Sequence, residues 1–175
     1  MFTTKSSARD NGTYLVFRST RPDAVRRTQT SFLDRFRLRR NAPLPTDRVA
    51  QSPLLQNLSA RELADARQRF TQMDIPAGRT VMTEGEVGHD FALLLSGHME
   101  IRRGGEAIDE IDDGDQFGEV ALLRDVTHSD GRRNATVVSL TPATLAVCSE
   151  RELEQLTRLS DDFRTQLVAI ARSRV

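Results

Sequence analysis

Between residues 72 and 148 the apolar positions come in short runs, each cut off by a glycine or a turn pair. Thr80-Val81-Met82, Phe91 to Leu95, His98 to Arg102, Ala107 to Ile111, Ala135 to Leu140 and Ala143 to Cys148 have the length of strands. The breaks fall at Ala77-Gly78, Gly85, Gly88, Ser96-Gly97, Gly104-Gly105, Asp113-Gly114 and Thr141-Pro142, residues that supply turn geometry. Such regular spacing of short strands predicts a sandwich or a barrel. Phe91, Leu93 and Leu95 alternate toward one face and read as core.

Helical periodicity flanks this region on both sides. Pro53-Leu54-Leu55 opens a short helical turn. Ser59-Ala60-Arg61-Glu62 is a capping box, and Leu63, Ala66 and Phe70 share one face, so a helix runs from about Ala60 to Phe70. After the last strand, Ser149 with Glu152 makes a second capping box ahead of Leu153, Leu156 and Leu159. Ser160 then caps a further helix with Phe163, Leu167 and Ile170 inward. The pattern predicts a mainly β fold with flanking helices: helical turns at the N-terminal side and two helices at the C-terminal side.

The first 50 residues lack this order. Asn41-Ala42-Pro43-Leu44-Pro45-Thr46 reads as a linker, because proline favours extended backbone at and before itself. The expected division is a basic, largely flexible arm over residues 1–50 and a folded domain over residues 51–175. Charge follows the same division. Residues 1–50 hold 11 Lys/Arg and 4 Asp, a net of +7, while residues 51–175 hold 14 basic and 21 acidic residues, a net of −7. Tyr14-Leu15-Val16-Phe17 is one apolar cluster in the arm. Phe32, Leu33 and Phe36 amid arginines permit a basic amphipathic helix from about Thr30 to Arg39. Such an element suits an acidic protein face, an anionic membrane or nucleic acid, and also suits plain solvation.

Cys148 is the single cysteine, so no disulfide forms within the chain; in Ala146-Val147-Cys148 it reads as a small core residue. No apolar run reaches the roughly 18–20 residues of a membrane span, and the N-terminus lacks an apolar signal core. A cytoplasmic location is expected. His89, His98 and His128 show no metal-ligand spacing. The acidic turn Asp109 to Asp115 lacks a calcium-hand pattern and reads as a solvated hairpin. No residue pattern supports an enzyme, and neither a cofactor nor a metal is expected.

The stretch with chemical content is Gly114 to Val137. Gly118 lets backbone approach a neighbour closely, and Val120-Ala121-Leu122-Leu123 can seat a helix of one to two turns. A helix start offers unpaired N–H groups to an anion. Glu119 repels an anion but accepts hydrogen bonds from hydroxyls beside one. Arg132 and Arg133 bring the opposite charge, and a guanidinium fork suits phosphate. A ligand with one phosphate next to a ribose hydroxyl satisfies all of these at once.

Phe117-Gly118-Glu119-Val120-Ala121-Leu122-Leu123 followed by Arg133-Asn134-Ala135-Thr136-Val137 resembles the phosphate-binding cassette of cyclic nucleotide-binding domains. These occur in CRP/FNR-type regulators, kinase regulatory subunits and nucleotide-gated channels. Pro76-Ala77-Gly78, Glu84-Gly85-Glu86-Val87-Gly88, Phe91 and Gly97 extend the resemblance upstream, to a span of about residues 53 to 172. It implies a jelly-roll-like β-barrel carrying the cassette, with no catalytic activity. The site residues it implies are Gly118, Glu119 and the amides of Val120 and Ala121, with Arg133 or Arg132 on the phosphate and Asn134 and Thr136 as further contacts. The candidate ligand is cyclic AMP or cyclic GMP. An effector protein is the implied partner, with the basic arm as one route to it. Nucleic acid is disfavoured because no helix-turn-helix follows.

One departure from the family pattern bears on the ligand. Arg133 follows Glu119 by 14 positions, a longer interval than the family's. The extra residues fall within Arg124 to Gly131. Either this loop bulges and returns Arg133 to the pocket, or it pulls the arginine away; counted without a gap, His128 takes the arginine position. The first outcome predicts a ligand-switched module, the second a degenerate fold that serves as a protein interaction domain. Alternation along the strand places Arg133 inward and Arg132 outward.

Overall fold

The computed structural model describes Leu44, residues 46–49 and residues 51–175. The arm elements expected at Tyr14 to Phe17 and Thr30 to Arg39 lie outside the described residues. Among the described residues, eight strands form two antiparallel sheets, so the architecture is a jelly-roll-like sandwich whose strands do not close into a single barrel. The first sheet has the order β1 (Thr71–Ile75), β8 (Ala143–Ser149), β3 (Asp90–Ser96), β6 (Gln116–Phe117). The second has the order β2 (Thr80–Met82), β7 (Thr136–Ser139), β4 (Met99–Arg103), β5 (Glu106–Ile111). The expected strands all form, within a residue or two at their ends. β1 and β6 were not foreseen, since Thr71-Gln72-Met73-Asp74-Ile75 is half polar and Gln116-Phe117 is too short to show a period.

Side-chain alternation in the central strands builds two hydrophobic layers. Phe91, Leu93 and Leu95 of β3 and Ala146 and Cys148 of β8 point to the helices. Ala92 and Leu94, with Leu145 and Val147, point between the sheets to Met99, Ile111, Phe117 and Val137. On the outer face of the first sheet lie α2 (Ala60–Arg69), α4 (Glu150–Leu159) and α5 (Asp161–Ser173), contributing Ala66, Leu153, Leu156, Phe163 and Leu167 to the helix-side layer. Both capping boxes form: Ser59 with Glu62 and Ser149 with Glu152 satisfy helix-start amides reciprocally. The short helix α1 (Thr46–Val49) and the turn at Leu54-Leu55 close the same layer, and Leu44 is also buried there. No described helix is long and apolar enough to cross a membrane.

The cassette departs from expectation in one respect. Val120 to Leu123 do not form a helix. The N–H groups of Leu122 and Leu123 both donate to the Glu119 carbonyl at 3.0 Å, making a tight turn. Val120, Ala121 and Leu122 are all buried. The helix forms later, as α3 (Arg124–Thr127), inside the segment read as an insertion. His128 ends it in a left-handed conformation, φ 53°, donating its N–H to the Arg124 carbonyl. The hydroxyls of Thr127 and Ser129 both donate to the Val120 carbonyl, at 2.9 and 3.1 Å, and tie the loop to the turn. α3 also packs on α5. The extra residues are thus folded into structure. They deliver Arg133 to a paired position, where its N–H donates to the Glu86 carbonyl and its own carbonyl accepts from Gly85.

Candidate ligand-binding site

A cavity of about 260 Å³ opens beyond one end of the inter-sheet core. Met82, Ile101, Ile108 and Val137 form its apolar wall, drawn from four strands of the second sheet. The turn Phe117 to Val120 and the segment Arg133 to Ala135 form its polar side. Ser173, Arg174 and Val175 reach it from the end of α5.

Glu119 is 1% exposed. Its Oε1 accepts from Arg174 Nη1 at 3.0 Å, and the same nitrogen donates to the Gln116 carbonyl at 2.7 Å. Its Oε2 is buried and has no hydrogen-bond partner among the described residues. A buried carboxylate oxygen without a donor carries a desolvation penalty of about 1–3 kcal/mol or more, so a hydroxyl placed there would be favoured.

Arg133 is 7% exposed. Its Nη1 donates to the Gly118 carbonyl and its Nη2 to the Asp90 carbonyl, each at 2.8 Å. Burial lowers its pKa to about 10, opposed by the negative charges of Asp90, Glu119 and Glu86. It therefore remains a cation at neutral pH, fixed beside the turn. Gly118 makes this approach feasible. Its φ is 93°, and a Cβ there would lie 2.8 Å from Arg133 Nη1, from the Asp90 carbonyl and from Met82 Cε. Gly88 has a similar role, because a Cβ would come within 2.6 Å of the Ala121 Cβ and 3.1 Å of Arg133. The N–H groups of Glu119, Val120 and Ala121 make no hydrogen bond among the described residues.

The expected residues divide into two groups. Gly118, Glu119, Val120, Arg133 and Asn134 line the cavity together. Ala121 is buried behind the turn against Gly88. Arg132 faces outward, donating to the Gly85 carbonyl at 2.8 Å and pairing with Asp130 at 3.4 Å. The Thr136 hydroxyl accepts from the Glu84 N–H at 3.0 Å and does not line the cavity. His128 is exposed at the end of α3, away from Arg133's place. Alternation of exposed Arg132 and Asn134 with buried Arg133 and Ala135 is the register that strand periodicity predicts.

Arg174, Arg103 and Gln116 belong to the same constellation and were not foreseen. Arg103 donates to the Asn134 carbonyl at 3.2 Å and to the Arg174 carbonyl at 3.5 Å. Asn134 Nδ2 donates to the Arg174 carbonyl at 3.0 Å. No local signal marks Arg174, which lies 55 positions from Glu119 in the run Ala171-Arg172-Ser173-Arg174. Cys148 is buried, and burial pushes its thiol pKa well up, as befits a core position.

The cyclic nucleotide-binding domain, as a family model, matches residues 72–159. The chain belongs to this family. Cyclic AMP-dependent protein kinase regulatory subunits are among its relatives. That of Yarrowia lipolytica is 34% identical over 110 residues, covering 62% of this chain and 28% of the relative. That of Colletotrichum orbiculare is 36% identical over 112 residues, covering 63% and 27%. The match thus spans little more than a quarter of the relatives' length. Among solved structures, the Thermus thermophilus catabolite activator protein is 26% identical, with a TM-score of 0.55 over 70% of this chain and 55% of that one. The structure described as Sp-2Cl-cAMPS bound to PKAR CBD2 shares the fold, with a TM-score of 0.60 at 21% identity, over 69% of this chain and 80% of that one. The cyclic nucleotide-binding domain therefore keeps its family's two-sheet frame, with a folded loop between the turn at Glu119 and Arg133.

Proposed function

We propose that this domain binds a cyclic nucleotide and reports its presence to a partner protein, without catalysis. The observation that carries the reading is the cavity itself: Glu119, whose Oε2 has no partner among the described residues, lines it together with the cationic Arg133, and the amides of the Glu119–Ala121 turn are unbonded among the described residues. Oε2 accepts a ribose hydroxyl. The amides and the remaining Arg133 donors take the cyclic phosphate, and Met82, Ile101, Ile108 and Val137 offer an apolar wall to the base. The relatives named as cyclic AMP-dependent kinase regulatory subunits favour cyclic AMP over cyclic GMP and a protein kinase as partner. A cytoplasmic site of action accords with that role.

A second reading has its own observation. Both terminal nitrogens of Arg133 already hold carbonyls, and Arg174 already holds Glu119, which also describes a fold that has replaced its ligand with internal contacts. Thermal unfolding separates the two. Ligand binding stabilises by RT ln(1 + [L]/Kd), about 2.7 kcal/mol at a hundredfold excess over Kd. The sensor reading expects the melting temperature to rise with cyclic AMP and to rise less with cyclic GMP. No shift with either at millimolar concentration would favour the interaction-domain reading.

A further inference from the structure

We infer that Arg174 is a positioning residue for Glu119: it holds the carboxylate by Oε1 so that Oε2 alone is presented to the ligand's hydroxyl. This rests on the cyclic-nucleotide reading of the cavity. A carboxylate that is 1% exposed needs a cation in direct contact. Arg133 lies near enough for its charge to be felt, but its terminal nitrogens bond to the Gly118 and Asp90 carbonyls. Among the described residues, Arg174 is the cation that touches Glu119, at 3.0 Å, and it touches one oxygen only. Two parallel bonds would have engaged both oxygens; the single bond leaves Oε2 without a partner among the described residues.

Arg174 is itself held from both sheets. Its guanidinium donates to Gln116 in β6, and its carbonyl accepts from Asn134, just before β7, and from Arg103 at the end of β4. The charges then sort into two pairs. Arg174 offsets Glu119, which leaves Arg133 for a phosphate. Without Arg174, Glu119 would be offset by the charge of Arg133 alone, the charge a phosphate needs, with Asp109 also on the cavity lining.

The rival interpretation makes Arg174 a plug that a ligand must displace. A double-mutant cycle in the full chain distinguishes them, using Arg174→Ala, Glu119→Gln and the pair, with Arg174→Lys as the conservative variant. Cyclic AMP affinity is read by calorimetry, and unfolding is read without ligand. Positioning predicts that Arg174→Ala weakens binding about 10- to 100-fold and that Arg174→Lys recovers much of it. It also predicts that Arg174→Ala changes affinity less than about threefold once Glu119 is glutamine. Without ligand, Arg174→Ala lowers the melting temperature, and adding Glu119→Gln restores part of the loss. Tighter binding by Arg174→Ala overturns the inference in favour of the plug. Additive effects on affinity overturn it in favour of a mere cover. If the unsubstituted chain binds neither nucleotide, the functional reading fails and the inference with it. The ligand-free cycle then still shows whether the Arg174–Glu119 pair exists.

Discussion

The two sheets of this domain bury their residues differently. In the first, β3 is buried on both faces: Phe91, Leu93 and Leu95 meet the helices, while Ala92 and Leu94 meet the other sheet. In the second, the inner face continues the core and then lines the cavity through Met82, Ile101 and Val137. Among the described residues, no helix packs over its outer face. Edge strand β5 exposes Glu106, Ala107, Ile108, Asp109 and Glu110 in succession. The first sheet is a platform, while the second supplies the apolar wall of the cavity, whose polar groups come from the turn after β6 and the segment before β7. Substitutions in the first should therefore cost stability at constant affinity, and those around the cavity should cost affinity first.

The largest effect expected is at the platform. Phe91→Ala removes a fully buried ring between β3 and the helices and should destabilise by about 3–5 kcal/mol in chemical denaturation. Ligand affinity of the remaining folded fraction should hardly change; a large affinity loss would mean that the two sheets do not divide the work.

At the cavity, Arg133→Ala should weaken cyclic AMP binding about 10- to 150-fold, the worth of a charge-assisted hydrogen bond of roughly 1.5–3 kcal/mol. Outward-facing Arg132→Ala should change it little, since an exposed pair such as Arg132–Asp130 contributes about 0–1 kcal/mol. Equal losses at both positions would contradict the register.

A chain that begins at Gln51 sharpens the comparison at the platform's edge. It lacks Leu44 and Val49, both buried in the helix-side layer, and the Leu44 carbonyl that accepts from Arg67 at 2.6 Å. It should lose about 2–4 kcal/mol relative to a chain that begins before Leu44. Equal melting of the two would show that the folded domain begins after residue 50.

The smallest effect concerns the open sheet. A hydrogen bond to Asp112 raises the His98 pKa, opposed next by desolvation and helped by the charges of Asp112 and Glu110. The stability this adds is fully present below the unfolded value near 6.5 and is lost as pH rises through the higher folded value. Melting temperature should therefore fall slightly from pH 6 to pH 8, and His98→Gln should remove that component.

Much of the platform was legible because its signals are local. Glycines bracket the strands, and Ser-x-x-Glu starts two of the helices. β6 escaped because two residues show no period, and β1 because its half-polar pattern suits a strand whose alternate side chains face water. At the cavity, Gly118, Glu119 and Arg133 were visible as a motif. The fate of the long loop before Arg133 was not, since it turns on hydrogen bonds from Thr127 and Ser129 to Val120 and on a left-handed His128. Arg174 was invisible because its contact with Glu119 forms only when α5 brings residue 174 back to the turn.

We propose that Glu119 and Arg133 together form the cyclic-nucleotide site. Calorimetric titration of the full chain with cyclic AMP, beside the Glu119→Ala chain, tests it most directly. The account predicts saturable binding at one nucleotide per chain, weakened about tenfold or more by Glu119→Ala while the protein stays folded. Saturable binding that is indifferent to Glu119, or no binding at millimolar nucleotide, would contradict it.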